Sequence, residues 1–486
     1  MTSPSAGLFI SSRPWLRPAL VVLGALVAFA AHFRPWEVAF LEEWPLAEFW
    51  MERGGFAFAA NYFEWSLSRP LHLAPTGLGL ALSGGTPFGI WVVLGLVAAG
   101  QFLAVVWALR SVGRSFWVTG AVALMISLHP FWPGGYLQRF LPAQTAALAL
   151  FLAAGLLIRY LQQGRVRWIV WAGVAIILGL CVYPGIAVAS PLMALVVALA
   201  VPSSWKRRII GTVTITVSAA IVMLYSLVIA RMIVPGGATY ESGNFAPATV
   251  GGPREFVMHV GTVLVGPGFV VLGGIIFIAL LGGALALAGA IPQWAGWLIT
   301  GTAAVSPACV LVFFANILWL QDVERVAYAT SLGLAIALLV WPLTSLGQRV
   351  RLEAVIAIVL VAITLVGAVR GIHRWQPYIA LQHQLFSELA PVVKEAEGDE
   401  IVVVVDHSGM FGSEYTLPQH YMSSASHVMN GDPTRVWLCY LPTDPPLAGA
   451  VPCNDADTGK DLRLVSSFTV PQGDVDIYIG TPPAAK

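Results

Sequence analysis

FGIWVVLGLVAAGQFLAVVWAL, residues Phe88 to Leu109, carries no charged side chain over twenty-two positions. At ~1.5 Å of rise per residue such a run covers ~33 Å as a helix, enough for the ~30 Å hydrocarbon layer of a bilayer. It is not alone. Apolar runs free of acidic residues also occupy Leu16–Phe33, Phe116–Leu128, Ala143–Ile158, Trp168–Tyr183 and Ile186–Val201. Further runs lie at Ile209–Val234, His259–Ala290, Trp294–Leu320, Val326–Leu346 and Val355–Val369. Across all 486 residues, 57% are hydrophobic and 10% charged, against a usual charged share of about 25% in soluble chains. The composition predicts an all-α polytopic membrane bundle of about eleven transmembrane helices. Leu16–Phe33 has no small-residue cleavage pattern and leads into further spans, so it reads as a retained anchor.

The placement of charge predicts an orientation. With the N-terminus cytoplasmic, successive inner ends carry Arg13 and Arg17, Arg110 and Arg114, then Arg159, Arg165 and Arg167. Lys206, Arg207 and Arg208, and finally Arg349 and Arg351, complete that face, as the positive-inside rule requires. Ahead of residue 370 the carboxylates are Glu37, Glu42, Glu43, Glu48, Glu52, Glu64, Glu241, Glu255, Asp322, Glu324 and Glu353, and this threading puts all but Glu353 outside. Carboxylates do not obey the positive-inside rule, so their one-sidedness points either to use on the outer face or to simple solubilising charge. A net charge of +1 gives no reason to expect a nucleic-acid partner.

Two domains are expected: a membrane domain over 1–370, with a long first outer loop at 34–87, and a small soluble α/β domain over 371–486 outside the membrane. In the loop, Glu37 to Arg53 reads as an amphipathic helix with Trp36, Phe40, Trp44, Phe49 and Trp50 as interface-seeking aromatics, stopped by Gly54 and Gly55. Phe56–Leu67 reads as a second helical piece broken at Arg69 and Pro70, and Leu71–Leu82 as a segment dipping into the membrane. In the tail, Leu385–Ala396 reads as a helix, and EIVVVVD (400–406) and VDIYIG (475–480) as strands. Cys439 and Cys453 are placed to pair in an exported tail. His407, His420 and His427 lack zinc-ligand spacing, so no metal site is assigned; the carboxylates leave room for a divalent cation without specifying one.

No Walker loop, dinucleotide fingerprint, HExxH or GxSxG element occurs. What remains is a set of charged groups on one face. Glu42 and Glu43, next to Trp44 at the membrane surface, are candidates for a desolvated general base, with Glu42 preferred. Arg69, Arg139 and Arg325 sit at outer ends of spans, where a guanidinium fork grips phosphate, snorkels or pairs with an acid.

The strings FLEEWPLAEFWMERGG (Phe40–Gly55), SRPL (Ser68–Leu71), TPFG (Thr86–Gly89) and VERVAYATSLGLAIALL (Val323–Leu339) resemble the first outer loop and late Glu-Arg-Tyr segment of bacterial GT-C-type glycosyltransferases. That resemblance implies a GT-C-like fold at the cytoplasmic (inner) membrane, with polyprenyl-phosphate-linked sugar as donor and a glycan, lipid or protein as acceptor. It places Glu42 and Glu43 at the catalytic acidic pair and Arg69 and Arg325 as donor-phosphate contacts, and Arg139, from its span-end position, is added as a further donor-phosphate candidate. Glu replaces the family's usual Asp at both acidic positions, and Ser68 replaces Gly. A lipid-glycan transporter or flippase, or a non-catalytic scaffold displaying the tail, is the competing expectation; such a scaffold would be indifferent to mutation of Glu42 and Glu43.

Overall fold

A computed structural model describes residues 15–36, 43–65, 67–112, 115–229, 232, 252–313, 322–398, 400–408, 419–431, 436–440, 460–470 and 473–481. Apolar helices make up most of it. Among the described residues, seven helical stretches are long and apolar enough to cross a membrane: Phe88–Leu109, Gln138–Gln163, Trp205–Ile229, Phe269–Leu287, Gln293–Phe313, Val323–Thr344 and Val350–Glu395. Four shorter apolar stretches, Leu16–His32, Phe116–Leu128, Val166–Val182 and Pro184–Ala200, are 10–17 residues long. The periphery bears large apolar side chains with nothing over them, including Leu287, Leu280, Ile358 and Val366. Water would not tolerate so much bare hydrocarbon, whereas lipid does. The chain is a helical membrane protein.

In chain order the helices are α1 (Leu16–His32), α2 (Glu43–Trp65), α3 (Ala74–Leu82), α4 (Phe88–Leu109), α5 (Phe116–Leu128), α6 (Leu141–Gln163), α7 (Val166–Val182) and α8 (Ala189–Ala200). They continue as α9 (Trp205–Leu224), α10 (Pro253–Val265), α11 (Phe269–Leu287), α12 (Gln293–Val305), α13 (Val323–Thr344), α14 (Val350–Glu395) and α15 (Gln419–Asn430). The run His259–Ala290 differs from its reading as one span. Gly266 and Gly268 divide it into α10 and α11, and Gly268 N donates to Val263 O at 2.7 Å to close the break. At the centre stands α13, whose apolar window is wholly buried, while α9, α11 and α14 bury only 28% of theirs.

Small residues and amide networks hold the bundle. Gly282 of α11 lies against Gly296 of α12 so closely that a Cβ on it would stand 3.0 Å from the Gly296 carbonyl. Near the other end, Gln101 Nε2 donates to Gln144 Oε1 at 2.6 Å, and Gln144 Nε2 donates to Gly135 O at 3.1 Å. His129 Nε2 meets Gln101 Oε1 at 3.0 Å and Gln144 Oε1 at 2.9 Å. That network pins His129 in a left-handed conformation (φ 44°) that an unbranched turn residue otherwise adopts only at a cost.

The 34–87 connection carries its own structure. α2 bends at Gly54, where φ 76° and ψ 170° interrupt the helix, and glycine suits that left-handed turn. Its start differs from expectation in what is described: Glu37–Glu42 lie outside the described residues, and helix is present from Glu43. α3 packs directly on the start of α4, the backbones of Gly79 and Gly89 touching.

The change expected near residue 370 is not a break in the backbone. α14 runs 46 residues from Val350 to Glu395 through that point, with Pro377 and Pro391 inside it, and continues into the tail. There β1 (Ile401–Asp406), β2 (Val436–Tyr440), β3 (Lys460–Val470) and β4 (Gly473–Thr481) form a sheet of order β2-β1-β4-β3. β1 pairs parallel with β2 and antiparallel with β4, in the register Val402↔Val436 and Val402↔Ile479. Its central place explains the unbroken apolar run IVVVV. α15, β2 and β3 went unread in the sequence. Cys453 lies outside the described residues, as does the side chain of Cys439, so their expected pairing does too.

Candidate functional site

Three connections that are far apart in sequence meet at one end of the bundle. The SRPL turn is held there by its backbone. Leu71 N donates to Cys181 O at 3.0 Å, Tyr225 OH to Leu67 O at 2.9 Å, and Ser226 Oγ to Ser68 O at 2.7 Å. His72 Nδ1 bonds Val182 O at 2.9 Å. Arg69 is thereby fixed beside the C-terminal end of α7. Removal of the His72 imidazole from water, and then the positive charge of Arg69, hold its pKa well below the usual range, so it stands neutral.

Arg325 is fixed by the start of α13. Asp322 caps that helix, accepting from Glu324 N at 3.0 Å and Arg325 N at 3.4 Å, and its other oxygen holds Arg325 Nε at 3.0 Å. Both partners are mostly buried, at 17% and 24% exposure. Next to it the buried Glu324 carboxylate accepts from Gly134 N at 2.6 Å, which locks α13 to the 129–140 connection. Arg139 belongs to that same connection, on the short 3₁₀ turn Gln138–Phe140.

These placements bring together the three arginines read from sequence. The Tyr183 hydroxyl, at the end of α7, lies in the fields of Arg325, Arg69, Asp322 and Arg139 together. A second tyrosine, Tyr378 of α14, is buried and lies in the fields of Asp406, Glu43 and Arg139. Arg139 is common to both groups. The charged groups near Tyr183 are mainly basic and those near Tyr378 mainly acidic. Glu43 is buried in the first turn of α2, where the helix dipole favours a carboxylate. Glu42 lies outside the described residues.

Sequence reading missed the tail's share of this region. Asp406 is fully buried at the C-terminal end of β1, accepting from Ser408 N at 2.9 Å and from the Ser408 hydroxyl. An acidic residue closing the buried run EIVVVVD was a usable signal, because ligands gather at the carboxyl ends of central strands. Tyr378 and Tyr183 offered none. Arg34 donates to Tyr136 O and stands 4.9 Å over the Trp91 ring.

The tail is docked, not tethered. Trp44, one residue after Glu43, is buried against Phe386 with ring centroids 5.3 Å apart. His383 Nε2 bonds Trp36 O at 2.9 Å, and Glu48 receives Ser424 Oγ at 2.5 Å and His427 Nδ1 at 2.7 Å. A site built from clustered guanidinia with adjacent carboxylates can grip an anion bidentately while a carboxylate accepts a proton. The chain matches no protein-family model, and no curated protein matches it significantly in sequence.

Proposed function

We propose that the protein is a GT-C-type membrane glycosyltransferase that moves a sugar from a polyprenyl-phosphate donor to a glycan, lipid or protein acceptor at the outer face of the bacterial cytoplasmic membrane. In this reading all eleven apolar stretches cross, the N-terminus is cytoplasmic, and the 34–87 connection and the tail are outside. The observation that carries it is the convergence of Arg69, Arg139 and Arg325 around Tyr183, joined through Arg139 to Glu43 and Asp406 around Tyr378. The arginines hold the donor phosphate. The acceptor hydroxyl attacks the anomeric carbon, the carbon–oxygen bond to phosphate breaks, and the phosphate leaves on the lipid. The hydroxyl proton passes to a carboxylate of the Glu42–Glu43 pair. An alcohol needs this activation while the phosphate is already a competent leaving group.

The test is the purified chain in lipid nanodiscs, offered polyprenyl-phosphate hexoses and cell-envelope acceptors, with release of free polyprenyl phosphate as the readout. Release is expected, and its loss by ~10² to 10⁴ in Glu42→Gln or Glu43→Gln with donor binding retained. A chain that binds the sugar-free polyprenyl phosphate no better than neutral polyprenol sinks the reading. So does parental release in both variants and in their double.

A further inference from the structure

One cluster outside that region joins ligand-type side chains from distant parts of the chain. Glu48 and Glu52 stand one turn apart on α2, so both project from the same face. Opposite them is His427, near the end of α15 in the tail. Its Nδ1 is 2.7 Å from Glu48 Oε1 and 3.8 Å from Glu52 Oε1, and one ligand atom from each of the three lies within 4.8 Å of the others. Among the described residues, His427 pairs with both carboxylates. Two like charges at i,i+4 repel unless a cation lies between them.

We propose that Glu48, Glu52 and His427 form a divalent metal site, of the zinc class, that clamps the tail onto the first connection. Four-coordinate zinc with arms of ~2.0–2.1 Å separates its ligand atoms by ~3.4 Å, and the 2.7 and 3.8 Å spacings from His427 bracket that value. One imidazole with two carboxylates favours zinc-like ions over magnesium or calcium, which take oxygen alone. The remaining Glu48 oxygen is already held by Ser424, the type of outer contact that orients a metal-binding carboxylate. Glu52 is 49% exposed, which gives an ion a path in and a water the fourth position. The ligands' place fixes what the ion does. α2 begins at Glu43, so the clamp holds in place both the helix bearing that carboxylate and the domain bearing Asp406. The proposal does not depend on the glycosyltransferase reading.

The experiment is zinc retention by the full chain in nanodiscs, measured by elemental analysis after exhaustive dialysis, and the visible spectrum after loading with cobalt(II). Glu52→Gln removes a ligand yet leaves the Glu48–His427 and Glu48–Ser424 contacts that dock the tail, so it separates metal loss from undocking. The parental chain is expected to retain about one zinc and to give a four-coordinate cobalt spectrum. Glu52→Gln and His427→Gln are expected to bind zinc at least ~10-fold more weakly, scaled from the loss on removing a supporting group. A parental chain that retains no zinc, or retention that Glu52→Gln leaves unchanged, overturns the site.

Discussion

Arg325→Lys isolates the fork geometry from the charge. Asp322 Oδ2 engages Arg325 Nε at 3.0 Å, one of the five donors of a rigid plane. The guanidinium is therefore aimed by an acid behind it while other donors of the same plane can face an anion. A lysine ammonium is a point charge on a flexible stem; it satisfies Asp322 or a phosphate, and not both in bidentate fashion. The loss is about one charge-assisted hydrogen bond, ~1.5–3 kcal/mol. That corresponds to donor binding weaker by ~10- to 150-fold. Folding should change modestly, because lysine keeps a positive charge beside the mostly buried Asp322 carboxylate. The assay is equilibrium binding of a polyprenyl-phosphate hexose to protein in nanodiscs, with thermal unfolding run in parallel. Asp322→Asn is the companion variant: an Asn oxygen still accepts from Glu324 N and Arg325 N, so the cap survives and only the aiming charge goes. Binding in Arg325→Lys equal to the parent, with a normal unfolding curve, refutes contact between Arg325 and the phosphate.

Gly89→Ala would place a Cβ 1.9 Å from the Gly79 carbonyl oxygen, so α3 must leave α4; the expected cost is ~1–3 kcal/mol, read as a lower unfolding temperature, and an unchanged one refutes the contact. Trp44→Ala should expose the α2–α14 junction to protease by deleting the Phe386 contact, leaving the bundle intact; equal cleavage of both proteins would contradict the docking. The Tyr62 hydroxyl, in the first connection, is pushed up to about 12 by removal from water and then by the charge of Glu48. Because its folded value lies above the ordinary ~10, its contribution to folding is complete below pH ~10 and lost as pH rises toward 12. Difference absorbance at tyrosinate wavelengths should show a group near 12 that Tyr62→Phe removes, and its persistence would reassign it.

What was legible in the sequence follows from the range of the forces involved. Solvation is local: Phe88–Leu109 announces a buried or lipid-facing helix from its own composition, and IVVVV announces a central strand. Gly54 likewise announces a bend, since the φ of 76° found there is a property of one residue. The three arginines were legible as residue types at span ends, but not as neighbours. Their meeting depends on Leu71 bonding Cys181 and on Glu324 bonding Gly134, contacts across 110 and 190 positions. Hidden in the same way was the Glu48–Glu52–His427 cluster. Zinc motifs are recognised when ligands recur at short spacing, and here the ligands are separated by 379 positions. Asp406 was missed because the tail was read as a separate domain, which removed it from consideration beside the membrane charges.

That separation is the point at which the continuous α14 matters most. A helix of 46 residues covers ~69 Å at 1.5 Å per residue, well beyond the ~30 Å layer. The surplus is helix, interrupted in its hydrogen bonding at Pro377 and Pro391, and not an irregular linker. It carries Tyr378 and Phe386 on the same helix that leads to the sheet, so Tyr378 lies in the fields of Asp406 and Glu43, and Trp44 seats on Phe386. A flexible joint near residue 370 would leave the Trp44–Phe386 and Glu48–His427 contacts as the tail's hold on the bundle and loosen Asp406 relative to Glu43. Two glycines inserted after Gly371 would create such a joint, since each weakens a helix interior by ~1 kcal/mol and the pair shifts the register of everything beyond. The expected result is a bundle that unfolds at its former temperature, a tail newly open to protease, and donor binding retained while transfer is lost. Transfer at the parental rate in that variant would show that the tail's acidic group has no part in the reaction.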